Sequence, residues 1–414
     1  MAFFHKHRSA IATVIVIWTF AVTICRGIRL PNDFAEAHWL LDYRFGPVRR
    51  GLLGSLCSVS SSLLGFSMTS DLIVCLAALA FGGMCLSFAY ASARMLRGSG
   101  ERAPLWALLL IVASSPFVVM SGHAFGYLDS LVYLLAVASV ALVLRGKPMA
   151  AGALSSISVL VHEAYLVIGV PLVFLGAVHA LLKVQDGERR YATSLFSFGA
   201  PVVVFVALII LQDVTVDAST LRAQIAERLH SFDFVRMGAD KIATWHTTSL
   251  AEYYLRESHL FSERLQYPSI FTSIAPAVVG VVTILHSAFR IRSFSFFSLT
   301  LLGVVGAPLA MHLVAWDTAR ISTFVIASGF LSAWILAECR GVQSSHNLYL
   351  LIALPALVLN VFGAVPLMDD EVERFSALVR LALYSPAIVF VVALIVQDVK
   401  VDALREFRVD DRST

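Results

Sequence analysis

The 414 residues are 58% hydrophobic and only 14% charged, with a mean hydropathy of +0.80 and a formal net charge of +3. A water-soluble protein carries roughly a quarter of its residues charged, so a soluble enzyme and a disordered regulator are excluded. A nucleic-acid binder is excluded as well, because Lys and Arg are scattered between apolar runs. Five Cys in no metal-like spacing rule out a disulfide scaffold or zinc module, which leaves an all-α, polytopic membrane protein.

Apolar runs of about 20 residues span the roughly 30 Å hydrocarbon core as helices, because a helix satisfies its own backbone hydrogen bonds. The sequence predicts twelve spans, near 9–27, 70–93, 104–120, 129–145, 149–161, 164–182, 193–211, 269–287, 294–312, 321–338, 347–365 and 380–397. The fifth and sixth are short and also fit a helical hairpin that stops within one leaflet. The first span has a basic start (His5, Lys6, His7, Arg8) but ends in Cys25-Arg26-Gly27 without a small-x-small cleavage site. It is expected to remain as an anchor.

Orientation follows from Lys and Arg in short loops. With the N-terminus inside, the short inner loops hold Arg94, Arg97, Arg102, Arg145, Lys147, Lys183, Arg189, Arg190, Arg290, Arg292 and Arg340, and the short outer ones only Arg320, Arg374 and Arg380. Both termini are then cytoplasmic, with a charged tail over 398–414. The long loops 28–69 and 212–268 lie outside. No internal repeat or separate soluble core is expected, so 1–414 reads as a single transmembrane domain.

Ionisable groups at span ends are costly unless paired or solvated, and are functional candidates by default. In this topology they gather on the outer side. In the first outer loop, Asp33, Glu36, His38 and Asp42 follow the first span. Each carboxylate either serves as a general base or merely pairs with Arg44 or another nearby Arg, and Asp42 is preferred as the base because it stands in an aromatic and basic stretch. Pro47 suits a first helical turn. Val48, Leu52, Leu53 and Leu56 would then form the buried face of an interfacial helix while Arg49 and Arg50 project away. The paired guanidinium groups suit a lipid phosphate, or anionic headgroups in general.

His123, Tyr127 and Asp129 stand before the fourth span, where Asp129 also suits a helix cap. His162-Glu163 stands between the fifth and sixth spans, either for proton transfer or as a polar lock between helices. His312 precedes Asp317 and Arg320, which lie three apart on one helix side and suit an ion pair. Trp316 opens that stretch, and Asp369, Asp370 and Glu371 precede the last span. The loop 212–268 carries Trp245, His246, Tyr253, Tyr254, His259 and Tyr267 beside Arg222, Glu227, Arg228 and His230. That mixture suits carbohydrate stacking, and amphipathic packing at the interface equally well.

These features resemble the GT-C superfamily of integral membrane glycosyltransferases and the related polysaccharide polymerases of bacterial envelope clusters. The matching parts are Asp33, Glu36 and Asp42 after the first span, the Arg49-Arg50 segment, the large loop before the eighth span, and the stretches Tyr127-Leu128-Asp129, His162-Glu163-Ala164 and Asp317-Thr318-Ala319-Arg320. A tight Asp-Asp or Glu-x-Asp pair after the first span is missing. The resemblance implies glycosyl transfer at the outer face of a bacterial inner membrane, from a polyprenyl-phosphate or diphosphate sugar to a glycan or lipid-linked saccharide.

In that reading Arg49, Arg50 and Arg320 hold the phosphate. Asp42 or Glu163 serves as base, and His162 and Asp317 orient the partners. The expected partners are membrane lipid and the polyprenyl-linked saccharide, with no nucleic acid. No cofactor is indicated, and a divalent metal stays open. The alternative is a transporter or flippase of a lipid-linked glycan, which requires polar groups through the midplane. The predicted spans offer few, with Asp71 near an end and His179 and Asn360 isolated. A non-catalytic assembly partner would instead tolerate changes at Asp42, Arg49 and His162.

Overall fold

In a computed structural model of the chain, residues 2–97, 103–182, 187–215, 217–235, 238–266, 270–289, 291, 296–315, 317–342 and 348–410 are described. They are helical throughout, with no strand among the described residues. The first half of the chain holds α1 (Ala2–Gly27), α2 (Asp33–Ala37), α3 (Gly51–Leu64), α4 (Ser70–Arg97), α5 (Ala103–Ala113), α6 (Pro116–His123), α7 (Asp129–Leu144), α8 (Pro148–Val161), α9 (Tyr165–Leu182) and α10 (Gly187–Thr215). The second half holds α11 (Ala218–His230), α12 (Ala239–Thr247), α13 (Leu250–Glu257), α14 (Phe261–Leu265), α15 (Ala275–Ala288), α16 (Phe296–Gly306), α17 (Thr318–Arg340), α18 (Leu348–Phe362) and α19 (Ala377–Asp410).

Each of the twelve expected segments coincides with an apolar helix, but among the described residues only six are long and apolar enough to cross a membrane. They are His7–Gly27, Ser70–Arg97, Ala103–His123, Ser194–Gln212, Thr318–Arg340 and Ala377–Gln397. The remaining apolar helices run 10–17 residues. Local chemistry shortens several of them. Pro148 sets the first turn of α8, and the extended backbone of His162 ends that helix before α9 begins. Pro308 stands in a 3-10 turn, Ala307–Leu313, that ends α16. Two differences from expectation concern α3 and the tail. Helix α3 starts at Gly51 instead of Pro47, so Arg49 and Arg50 precede it. The backbone of the expected tail continues α19 as far as Asp410.

The α5–α6 pair and α17 are buried along nearly their whole length and form the centre, with α1, α4, α10 and α19 more exposed around them. Leu105–Ala113 pack against Phe324, Ile326, Phe330 and Trp334 in one large apolar core. Helices α1 and α6 approach closely where side chains are absent. A Cβ at Gly122 would stand 2.9 Å from the Ile24 carbonyl oxygen, and one at Gly27 2.5 Å from that of Val119. Small residues at such crossings let backbones meet without an apolar driving force between helices.

Polar loops collect at one end of this bundle. Arg29, after α1, bonds Asp369 and Glu371 before α19 (2.8 and 2.6 Å) and the His123 carbonyl at the end of α6 (3.1 Å). At the opposite end Arg94 pairs with Glu338 (2.7 Å), joining the C-termini of α4 and α17, and Arg145 reaches Tyr90. At the first end the two long loops fold on each other. Trp39, Leu40, Leu41 and Val48 make a second apolar core with Leu221, Ile225, Leu229 and Ile242, seated on Ile73 and Ala77 of α4. This cap carries the segment before α3 to the mouth of the bundle.

Candidate functional site

Residues 38–54 are held by specific contacts. The Trp39 indole donates to the Gly126 carbonyl at 2.8 Å, and Gly126 adopts a left-handed backbone with φ +96°. A Cβ at Gly54 would lie 1.9 Å from the Leu41 carbonyl oxygen, so α3 can approach this strap only because position 54 is glycine. Arg50, the residue before α3, sits at φ 63°, ψ 14°. A non-glycine residue there carries strain, which persists where surrounding contacts enforce it.

Those contacts are made by the guanidinium group. Arg50 Nε donates to both Glu163 carboxylate oxygens (3.0 and 2.9 Å), Nη2 donates to Oε1, and Nη1 donates to His38 Nε2 at 2.9 Å. The carbonyl of Phe34 can only accept, so the 2.8 Å contact from His38 Nδ1 places the proton on Nδ1 and leaves Nε2 to receive Arg50. His38 is therefore neutral. Burial first, and then the Arg50 charge, push its pKa down to about 3. Burial alone would raise Glu163, but Arg50, by its charge and its hydrogen bonds, and then Arg49 hold its carboxyl well below the usual range.

The extended backbone of His162, followed by a turn at 163–164, sends adjacent side chains to different partners. The Ala164 N–H donates to His162 Nδ1 at 3.0 Å, so the ring's proton is on Nε2, which faces Asp129 Oδ1 at 4.0 Å. Asp129, at the first turn of α7, stands 3.6 Å from Arg320. Arg320 also pairs with Asp317 at 3.1 Å and lies over the Tyr127 ring, 5.2 Å from its centre. Five carboxylate or guanidinium groups, Arg50, Glu163, Asp129, Asp317 and Arg320, thus form a continuous charged array through His162.

The array opens into a cavity of about 600 Å³. Its polar wall is Arg49, Arg50, Glu163, Asp317 and Arg320, with Lys241, His246, Arg256 and Glu257 from the second long loop. Its apolar wall is Leu166 and Val167 of α9, Phe205 of α10, and Met311, Val314 and Ala315 beside α17. Trp245 and Tyr253 are edge-on to each other along one side. Arg49 braces α12 against α13, donating to the Trp245 and Thr248 carbonyls (both 2.8 Å) with its guanidinium 5.3 Å from the Tyr253 ring centre. Glu257 is bound by Arg256 and Arg264, and Arg264 also donates to the His312 and Ala315 carbonyls. His246 is buried, edge-on to His38 at 5.5 Å, and its Nδ1 has no hydrogen-bond partner among the described residues.

Of the residues chosen from sequence, Arg49, Arg50, Glu163, Asp317 and Arg320 line the cavity, with His162, Asp129 and Tyr127 directly behind them. Four others stand elsewhere. Asp42 caps the short turn Tyr43–Phe45 and is bound by Arg44, so neither lines the cavity. The cause is local, since a carboxylate two residues before an arginine in a tight turn is captured by it. His123 is spent between the Gly27 and Met368 carbonyls (3.3 and 3.2 Å). His312 faces the Leu309 carbonyl at 3.1 Å and Ser322 at 3.5 Å. Arg49 and Arg50 point into the protein, not away from it as an interfacial helix requires.

Sequence reasoning counts His38 among the outer polar groups but gives it no role, and treats Trp245, His246 and Tyr253 only as loop composition. Trp316, Tyr267 and the side chains of His179 and Asp370 lie outside the described residues. So do the side chains of Arg102, Lys183, Arg189, Arg190, Arg290 and Arg292. No grouping of three or more His, Cys, Asp or Glu that could hold a metal occurs among the described residues.

Comparison of the chain with protein-family models, with curated proteins and with solved structures gives no match.

Proposed function

We propose that this protein transfers a sugar from a polyprenyl-phosphate or polyprenyl-diphosphate donor to a glycan or lipid-linked acceptor. The reaction takes place at the outer face of a bacterial inner membrane that the chain crosses about twelve times, with both termini cytoplasmic. One observation carries this reading: a single cavity joins guanidinium groups and a carboxylate, Arg50, Arg320 and Glu163, to an apolar wall on α9 and α10. A lipid-linked phosphate needs both surfaces, cations for its oxygens and hydrocarbon contact for its first isoprene units.

Arg50 and Arg320 bind the phosphate, and Arg49 adds positive charge while fixing the cavity rim. The acceptor sugar stacks on Trp245 and Tyr253, which suit the CH faces of a pyranose. Glu163 takes the proton of the acceptor hydroxyl as its oxygen bonds the donor's anomeric carbon. The bond from that carbon to the phosphate oxygen breaks, and the lipid phosphate leaves with the electron pair. The guanidinium groups meet the charge that develops on the leaving oxygen, the position where preorganised cations lower a barrier most. Glu163 replaces Asp42 in this role because Asp42 is committed to Arg44 away from the cavity.

A flippase for the same lipid calls for polar groups along a membrane-deep path. The charged side chains described here sit at helix ends, and Asn360 donates to the Ile111 carbonyl and to Ser114 within the core, which favours a one-sided site.

The test supplies purified protein with a labelled lipid-linked sugar pool. Glu163→Gln and Arg50→Gln are each expected to lower transfer by about a hundredfold or more, the range for loss of a general base or of leaving-group stabilisation. Transfer within tenfold of wild type in both variants refutes the mechanism.

A further inference from the structure

Glu163 and Arg50 are joined more completely than an idle pair of site residues requires. Every guanidinium nitrogen of Arg50 is engaged, Nε and Nη2 with Glu163 and Nη1 with His38. Among the described residues, every hydrogen bond to the Glu163 carboxylate comes from Arg50. The neighbouring His162 offers no alternative, because its Nδ1, 3.6 Å from Glu163 Oε2, is the acceptor for the Ala164 N–H. A carboxylate and a phosphate present the same pair of oxygens to an arginine fork. A carboxylate saturated by that fork is also a poor base, since taking a proton forfeits the charge-assisted bonds.

We infer that in the resting protein Glu163 occupies the anion position at Arg50, and that an incoming phosphate ester displaces it, so that binding of the donor is what frees the base. The inference rests on the functional reading above and adds its order of events. The donor must bind first, because the acceptor hydroxyl meets an unoccupied Glu163 only after the exchange. Water and stray hydroxyls meet a masked carboxylate at other times. His38 stays on Nη1 throughout and holds the guanidinium plane while its partner changes. Two features of the cavity fit an incoming ligand. Arg320 lines the same wall, offering the phosphate a second cation, and the buried Nδ1 of His246, which also lines the cavity, has no hydrogen-bond partner among the described residues.

The exchange makes an unusual prediction for a site residue, namely that removing its charge strengthens binding. Full-length protein in detergent is titrated with a polyprenyl phosphate, with the uncharged polyprenol, and with inorganic diphosphate. Glu163→Gln is expected to bind polyprenyl phosphate about tenfold tighter than wild type while transfer is lost, because the internal competitor has gone. Affinity for polyprenol should not change. Tightening toward diphosphate as well identifies the free anion as sufficient, and tightening confined to the lipid shows that the apolar wall is needed too. Glu163→Asp, which keeps the charge and so the fold but withdraws the carboxylate by one methylene, is expected to bind about threefold tighter. If both variants bind polyprenyl phosphate no tighter than wild type, the exchange is overturned while the phosphate site stands. If wild type and both variants bind neither phosphate probe, the functional reading falls and the exchange falls with it.

Discussion

Asp129, behind the cavity wall, faces Arg320 at 3.6 Å, and its buried Oδ2 accepts no hydrogen bond among the described residues. The attraction is therefore carried by charge alone. Arg320 in turn is shared with Asp317, one helical turn away at 3.1 Å. One cation serving two carboxylates is the arrangement in which loss of the cation costs most.

Arg320→Ala is accordingly expected to destabilise the protein by about 3 kcal/mol, the scale for leaving a buried charge without its partner. Asp129→Asn, which removes the buried carboxylate charge that the arginine had answered, should recover a large part of the loss in the Arg320→Ala background. The measurement is a double-mutant cycle on thermal or denaturant unfolding in detergent. Additive effects at the two positions would mean that the residues do not interact.

The histidines give the protein an acid sensitivity whose direction is determined. Burial first, and then Arg50, push His38 down to about 3 and lower His162 and His246 well below 6.5. Unfolding returns each to an ordinary value near 6.5. Between about pH 6.5 and 3 the unfolded chain therefore binds protons that the folded one refuses, and stability falls as pH falls. Glu163 acts in the same direction at lower pH. Its stabilisation is present above 4.5 and disappears as pH drops through its depressed folded value. The midpoint of thermal unfolding should decline from about pH 7 to about pH 5, and His38→Gln and His246→Gln should each flatten the slope. A midpoint that stays level or rises over that interval would mean that the folded state protonates these rings.

Much of the fold was legible in hydrophobicity, because a helix in lipid must be apolar along its length, and each expected segment became a helix. Span lengths were not legible in the same way. The expected segment 104–120 instead divides at Pro116, which opens α6 after α5 ends at Ala113. The break at His162, by contrast, was legible in the His162-Glu163 pair, and its local cause is an Ala164 N–H satisfied by an imidazole nitrogen in place of a helical carbonyl. Arg50, Glu163, Asp317 and Arg320 could be nominated because charge beside an apolar run is costly and must be answered. Asp42 and His312 satisfied the same criterion but are answered locally, by Arg44 and by the Leu309 carbonyl, while His123 is answered across the bundle by the Gly27 and Met368 carbonyls, away from the cavity. Whether a polar group finds its partner two residues away or across the bundle depends on tertiary packing, and single-residue chemistry does not encode it. His38 stood among the outer polar groups without a role for the complementary reason. Its importance lies in the Phe34 carbonyl and the Arg50 guanidinium that fix its two nitrogens, and the second depends on how the chain turns at residue 50.

That turn supplies a last prediction, which separates the backbone of Arg50 from its side chain. Arg50→Gly and Arg50→Ala both delete the guanidinium and both leave Glu163 and His38 without it, so their effects on binding and transfer should be equal and large. Their stabilities should differ. Position 50 has φ 63°, where a Cβ costs about 1 to 2 kcal/mol and glycine pays no such penalty. Arg50→Gly should therefore unfold at a higher midpoint than Arg50→Ala by about 1 kcal/mol, even though glycine also makes the unfolded chain more flexible. The opposite order, with alanine the more stable, would mean that the segment relaxes out of the left-handed region once the guanidinium is gone. Glu163 and His38 would then be what holds the backbone in its strained form, and the strain would belong to the ion pair and not to the turn before α3.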